Sequence, residues 1–237
     1  MSTVGDPPGE LVGTGRSADV YDVGDGKVLR RYRSPAAGLD NEIRVMRWAA
    51  DNGISVPRVY ELGPDHIIGR DLLMERIDGP TMLEDFDRRP WMLMSHIRTL
   101  VKVQRAVNAV PAPDWMSPKT GPIVPGGDSL LHLDLHPMNV MISPDGPVVI
   151  DWTNAAGGPP GFDAALTYVE MLTFELTSPR DRAAQKITTT AFRRWSGADQ
   201  IDAFLAAACD HRLADPVITP GERAATAALR KKAKRRH

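Results

Sequence analysis

From about residue 10 to 33 the stretch ELVGTGRSADVYDVGDGKVLRRYR has a period-two pattern, seen at Val20 and Asp22 and again at Val28 and Arg30, with the turn GDG at 24–26 between them. Strand side chains alternate between two faces, so this pattern predicts a hairpin or a meander. In GLDNEIRVMRWAADNG the residues Ile43, Met46 and Ala50 recur at helical spacing, and Gly53 supplies a stop. ISVPRVYEL and HIIGRDLLMERI predict two further strands, broken by DGP at 78–80. WMLMSHIRTLVKVQRAVNAV then places Leu93, Ile97, Leu100, Val101 and Gln104 on one helical face, ended by Pro111 and Pro113. The second half is predicted helical at both ends, with short strands near 140 and 150 and a closing helix over GERAATAALRKKAKRRH. No internal repeat or low-complexity segment interrupts this order.

Composition narrows the class. A chain of 237 residues that is 42% hydrophobic can bury the core of one generous domain or two small lobes. The 29 Lys and Arg balance 30 Asp and Glu, which argues against a surface built for nucleic acid and makes any basic function local. The opening MSTVGDPPGE has neither the charged nor the apolar region of a secretory signal, and no apolar run approaches the roughly 20 residues of a membrane span. The expectation is a cytoplasmic protein with no membrane partner. Cys209, the single cysteine, reads as a small buried residue. The basic run LRKKAKRRH at 229–237 suits a solvated helix end, and an acidic partner or nucleic acid is its sharper reading.

GTGRSA at 13–18 fits both a relaxed dinucleotide fingerprint and a degenerate kinase glycine-rich loop. A dinucleotide site needs a helix directly after the glycines, whereas ADVYDV continues as a strand, so a hairpin covering phosphates is the better functional fit. Taken alone, the motif is more often a tight turn. GKV at 26–28 is not a P-loop, because Tyr21 and Val28 stand where glycine and a hydroxyl residue belong.

LLHLDLHPMNVMIS at 130–143 carries the chemistry. If HLDLH is extended, His132, Asp134 and His136 share one face, which suggests zinc. Positions two apart on a strand lie about 7 Å apart, awkward for one tetrahedral centre, and no fourth ligand is evident. Phosphoryl transfer to a hydroxyl instead needs a carboxylate near the acceptor proton and oxygen ligands for magnesium. Asp134, Asn139 five residues on, and Asp151 at the end of PVVID supply that set at kinase spacing.

With these motifs the chain resembles the aminoglycoside phosphotransferase and choline kinase family, whose catalytic loop usually reads H-G-D-x-H-x-x-N and whose metal strand ends in I-D-W or I-D-F. Here the segments are HLDLHPMN and VVIDW. LVGTGRSADVY, KVLRRYR, NEIRVMRWAADNGISVPRVY and DLLMERIDGPTM resemble, in order, the glycine-rich loop, third strand, helix with fourth strand, and fifth strand with hinge. The resemblance implies an α+β, two-lobed protein-kinase-like fold. Residues 1–77 would form a small antiparallel-sheet lobe with one helix, and 78–237 a mainly helical lobe bearing the catalytic loop, with nucleotide between them. It implies ATP and Mg2+ as cofactors and transfer of the γ-phosphate to a hydroxyl of a small polar molecule such as an aminoglycoside, amino alcohol or sugar. The other reading is a nucleotide-binding pseudokinase.

By the same resemblance Asp134 is the catalytic base, and Asn139 and Asp151 are the magnesium ligands. Gly13 and Gly15 cover the phosphates, and Glu42 positions the phosphate-binding cation. Met74 borders the adenine pocket, the backbone of Glu75 and Ile77 meets the base, and Asp163 supports the catalytic loop. The sequence departs from the family at the cation, where Arg30, between Lys27 and Arg31, replaces lysine. Leu133 replaces the loop glycine, Ala18 replaces the third glycine, and the helical half is short. Only WTNAAGGPPGF separates Asp151 from Asp163, too little for the activation segment of a protein kinase, so the acceptor is expected to be small. Asp163, Glu170 and Glu175 could attract a cationic one.

Overall fold

The structure, a computed structural model, describes residues 8–234 apart from 16, 65 and 117–125. Most of the opening segment, position 16 of the glycine loop and the last three residues of the basic run lie outside the described residues. In chain order the first elements are β1 (Glu10–Thr14), β2 (Ala18–Gly24), β3 (Lys27–Tyr32), α1 (Leu39–Asp51), β4 (Asp71–Glu75), α2 (Met82–Arg88) and α3 (Leu93–Ala109). Then follow β5 (Ser129–Leu131), β6 (Val140–Ser143), β7 (Gly146–Val149), β8 (Ala156–Gly158), α4 (Pro160–Thr173), α5 (Pro179–Ser196), α6 (Ala198–Ala214) and α7 (Pro220–Ala233). The chain divides into two compact units, one holding the residues up to Pro80 with Met141–Thr153, the other Thr81–Val140 with everything from Asn154.

The first unit is an antiparallel sheet in the order β1-β2-β3-β4, with α1 and the β6–β7 hairpin. Gly24, Asp25 and Gly26 all take positive φ and close the β2–β3 turn that GDG predicted. The buried face of α1 is Leu39, Glu42, Val45, Met46 and Ala49, so the stripe predicted through Ile43 and Ala50 is rotated by about one position. The rotation carries the charged Glu42 inward, where hydrophobic periodicity alone would not place it. ISVPRVYEL is not a strand: Pro57 lacks an amide for a ladder, and only the bridge of Val59 to Met74 forms. HIIGRDLLMERI keeps a strand only from Asp71, after a turn with Gly69 at positive φ.

The sequence assigned 140–153 to the helical half, but the hairpin groups with the first unit. Ile142 donates its amide to the carbonyl of Pro80 at 2.8 Å, and Val149 donates to that of Ser55 at 2.9 Å. Gly79 permits this approach, since a Cβ there would stand 2.2 Å from the Ile142 carbonyl oxygen.

The second unit is built on helices. Its core includes Ile97, Leu100, Leu130, Leu131, Leu135, Phe162 and Phe192, all fully buried or nearly so. β5 and β8 form a two-stranded antiparallel pair that leads into and out of the loops of interest. Capping boxes start α2 at Thr81 with Glu84 and α7 at Thr219 with Glu222, satisfying amides that a helix start leaves unpaired. α4 begins with Pro160 and continues into Gly161, Phe162 and Asp163, which buries its first turn. No helix among the described residues is long and apolar enough to cross a membrane.

Candidate active site

In the first unit, β3 carries Arg30 and Tyr32 on one face and Leu29 and Arg31 on the other. Arg31 is committed elsewhere, in a two-pronged pair with buried Asp71 at 2.7 and 2.8 Å. Lys27 lies over the ring of Tyr60 at 4.9 Å. Arg30 is the cation turned to α1: its Nη1 donates to Glu42 Oε1 at 3.0 Å, and both terminal nitrogens donate to Asp151 Oδ1 at 3.3 Å. Tyr32 donates its hydroxyl to the other Glu42 oxygen at 2.7 Å. Thr153 Oγ1 donates to Asp151 Oδ1 at 2.8 Å. Glu42 is only 1% exposed, and burial raises its pKa, with Arg30 and the Tyr32 hydroxyl opposing that without cancelling it. Burial alone would lower the pKa of Arg30, but the charges of Asp151 and Glu42 outweigh it and raise it.

Asp151 itself sits at φ +63, a left-handed conformation that strains a non-glycine residue. The following residue, Trp152, is fully buried and donates its indole N–H to the Val149 carbonyl at 3.1 Å, which anchors the turn. The side chain of Asp151 remains 36% exposed. Tyr32 and Thr153 were not singled out from the sequence. Their signal was positional, each lying two residues from a candidate.

In the second unit, HLDLH is not extended. Leu133 takes φ +63, which breaks the alternation, so His132 is fully buried while Asp134 and His136 stay partly exposed. The expected shared face of His132, Asp134 and His136 does not exist. Among the described residues no group of three or more His, Cys, Asp or Glu is arranged to hold a metal ion.

The left-handed turn at Leu133 lets two consecutive amides converge on one carboxylate. Asp163, on the first turn of α4, accepts from the Leu133 amide at 2.8 Å, the His132 amide at 3.3 Å and Asn108 Nδ2 at 2.8 Å. Asp134 is thereby held on a fixed loop. His136 Nδ1 accepts the Met138 amide, so the ring of a neutral His136 carries its proton on Nε2, 3.4 Å from Asp134 Oδ1. Asn139 donates Nδ2 to the Asp134 carbonyl at 2.8 Å and to its carboxylate at 3.3 Å, which turns Asn139 Oδ1 into its remaining donor atom for a cation. Burial would raise the pKa of Asp134, but His136, His132 and Arg212 together lower it, so the carboxylate is held ionised at neutral pH.

Magnesium takes oxygen ligands, commonly one or two carboxylates together with substrate phosphates. Asp151 offers a partly exposed carboxylate, and Asn139 offers an amide oxygen. The β1–β2 hairpin holds Gly13 opposite Val20, and Gly15 donates its amide to the Ala18 carbonyl at 2.8 Å. A Cβ on Gly13 would meet nothing nearer than Val20 Cβ at 3.7 Å, so the fold by itself does not demand glycine there. Met74 pairs with Val28 across β4 and β3, and Glu75 gives its amide to the Arg58 carbonyl at 2.8 Å. Ile77 follows β4, before the turn at Gly79.

A small antiparallel sheet with one inserted helix and a cation–carboxylate pair, and a helical unit with an Asp-bearing loop pinned by a later aspartate, together define a protein-kinase-like fold. The chain belongs to the phosphotransferase enzyme family, APH, whose family model matches residues 9–124 and 121–217. No curated protein matches the sequence. Among solved structures, it is similar to a thermostable mutant of aminoglycoside phosphotransferase APH(4)-Ia in ternary complex with AMP-PNP and hygromycin B. That match has a TM-score of 0.64 at 15% identity and covers 95% of this chain and 91% of that one. A choline/ethanolamine kinase family protein from Mesorhizobium loti matches with a TM-score of 0.56 at 17% identity, over 95% of this chain and 86% of that one. The streptomycin–ATP–APH(2")-IIa ternary complex matches at 0.61 and 10% identity, over 93% and 90%.

Proposed function

We propose that the protein transfers the γ-phosphate of ATP to a hydroxyl group of a small polar molecule. The observation that carries this reading is Asp134: a partly exposed carboxylate, held below its ordinary pKa, on a loop fixed by Asp163. Such a group can accept the proton of an acceptor hydroxyl as its oxygen bonds to phosphorus and the bond to the departing ADP breaks. His136 orients the carboxylate through Nε2, and Asn139 steadies it from the other side.

Within the first unit, Gly13 and Gly15 allow the hairpin backbone to cover the phosphates, and Arg30, held by Glu42, supplies positive charge to them. Met74 borders the adenine. With its amide bonded to Arg58, Glu75 meets the base through its carbonyl, and Ile77 meets it through its amide. Asp151 and Asn139 are the donors that each unit offers to magnesium. When bound, that ion neutralises charge developing on the phosphates. The short interval between Asp151 and Asp163 and the complexes formed by the similar aminoglycoside kinases support an acceptor of aminoglycoside, amino alcohol or sugar class.

The test is incubation with ATP, magnesium and a panel of these acceptors, read by mass spectrometry for a phosphorylated product. A product absent from every acceptor, with ATP still bound, would instead support a nucleotide-binding pseudokinase.

A further inference from the structure

The replacement of the usual lysine by Arg30 has a geometric consequence. A lysine presents a compact point charge, whereas the planar guanidinium reaches two carboxylates at once. Here Arg30 bonds Glu42 Oε1 and Asp151 Oδ1 together, and Thr153 donates to the same Asp151 oxygen. That oxygen therefore carries three donated hydrogen bonds, two of them from a positive charge at 3.3 Å. A magnesium ion on the same oxygen would sit about 2.0–2.1 Å away, inside the space and the field of the guanidinium. The Glu42 end of the bridge is the fixed end, because Tyr32 grips the second oxygen of this buried carboxylate and Arg30 stacks over the Tyr32 ring at 5.0 Å. The Asp151 end is the one that can be released, since its side chain is the more exposed of the two.

We propose that Arg30 gates the metal ligand Asp151: a divalent cation binds Asp151 only once an anionic ligand, the phosphate chain of a nucleotide, has drawn the guanidinium away from it. Tyr32 and Thr153 are the positioning residues of this gate, one fixing Glu42 and the other holding the Asp151 carboxylate towards Arg30. The proposal rests on the reading of the protein as an ATP-dependent phosphotransferase, and it makes metal and nucleotide binding mutually dependent.

The experiment is titration of the full chain with Mn2+, followed by electron paramagnetic resonance, with and without AMP-PNP. A site counts only where Asp151→Asn removes it. The wild type is expected to show no such site with Mn2+ alone and one in the presence of AMP-PNP. Arg30→Lys, which keeps the partner of Glu42 but cannot span both carboxylates, should gain an Asp151-dependent site without nucleotide, tighter than in the wild type by on the order of tenfold or more. Arg30→Ala should do the same, and if loss of its buried pair prevents folding, Arg30→Lys carries the test alone. The proposal is overturned if the wild type binds Mn2+ at Asp151 as tightly as Arg30→Lys does without nucleotide, or if Arg30→Lys gains no site. Failure of the nucleotide reading is distinct: no form of the protein would then bind AMP-PNP, whatever the metal titration shows.

Discussion

Replacing Asp163 with asparagine should loosen the catalytic loop while barely changing the shape of the side chain. Asp163 is 0% exposed and accepts three hydrogen bonds, from the amides of Leu133 and His132 and from Asn108 Nδ2. An asparagine offers one oxygen and one NH2 group, so at least one donor would face another donor. Hydrogen bonds to a charged group contribute about 1.5–3 kcal/mol each, and a buried donor left without an acceptor costs about 1–3 kcal/mol. With one strong bond lost and one donor orphaned, Asp163→Asn should destabilise its unit by about 3–5 kcal/mol. For a chain of this size that corresponds to a Tm lower by roughly 6–20 °C. Differential scanning calorimetry measures the shift, and hydrogen exchange of the Leu133 and His132 amides locates it. A Tm within about 2 °C of the wild type, with unchanged protection of those two amides, would refute the view that Asp163 pins the loop.

Two further substitutions test opposing contributions elsewhere. Leu133→Gly restores the family glycine at φ +63, relieving about 1–3 kcal/mol of backbone strain but removing a side chain that is 2% exposed and whose burial is worth about 2–5 kcal/mol. Burial should win, and a Tm equal to or above the wild type would show otherwise. Glu170 has a shielded Oε2 without a hydrogen-bond partner among the described residues, and burial, then the charge of Asp134, push its pKa well above the ordinary value against the pull of Arg212. Its folded form favours the proton, so this group's contribution is complete below the ordinary carboxylate range and is lost as pH rises through the raised value. Glu170→Gln should therefore match the wild type near about pH 4 and exceed it in Tm increasingly towards about pH 8. A difference that does not vary with pH would contradict this.

Much of the fold was legible because its signals are local. Alternation in β2 and β3, the GDG turn and the long apolar stripe of α3 each follow from nearest-neighbour chemistry. Joint motif spacing indicated the family, and the family match then agreed. What failed depended on tertiary demands. The stripe of α1 was misplaced because a charged residue, Glu42, is buried by partners twelve and ten residues away on β3. HLDLH gives no local sign of a left-handed leucine, a conformation sustained by Asp163 thirty residues on. α2 was passed over although TMLE carries a capping box, since the helix is only 7 residues long and gives too little periodicity. The bridging of Arg30 to Asp151 spans 121 positions and has no signature in sequence at all.

The proposed phosphoryl transfer turns on Asp134 as the base for an acceptor hydroxyl. The decisive measurement is phosphoryl transfer from ATP to the best acceptor of the panel, made side by side for the wild type and Asp134→Ala, with AMP-PNP affinity measured on both. The rate should be lower by about a hundredfold or more in Asp134→Ala, with nucleotide affinity within about twofold, because the base acts on the acceptor and not on the nucleotide. Turnover that survives the substitution undiminished would contradict it.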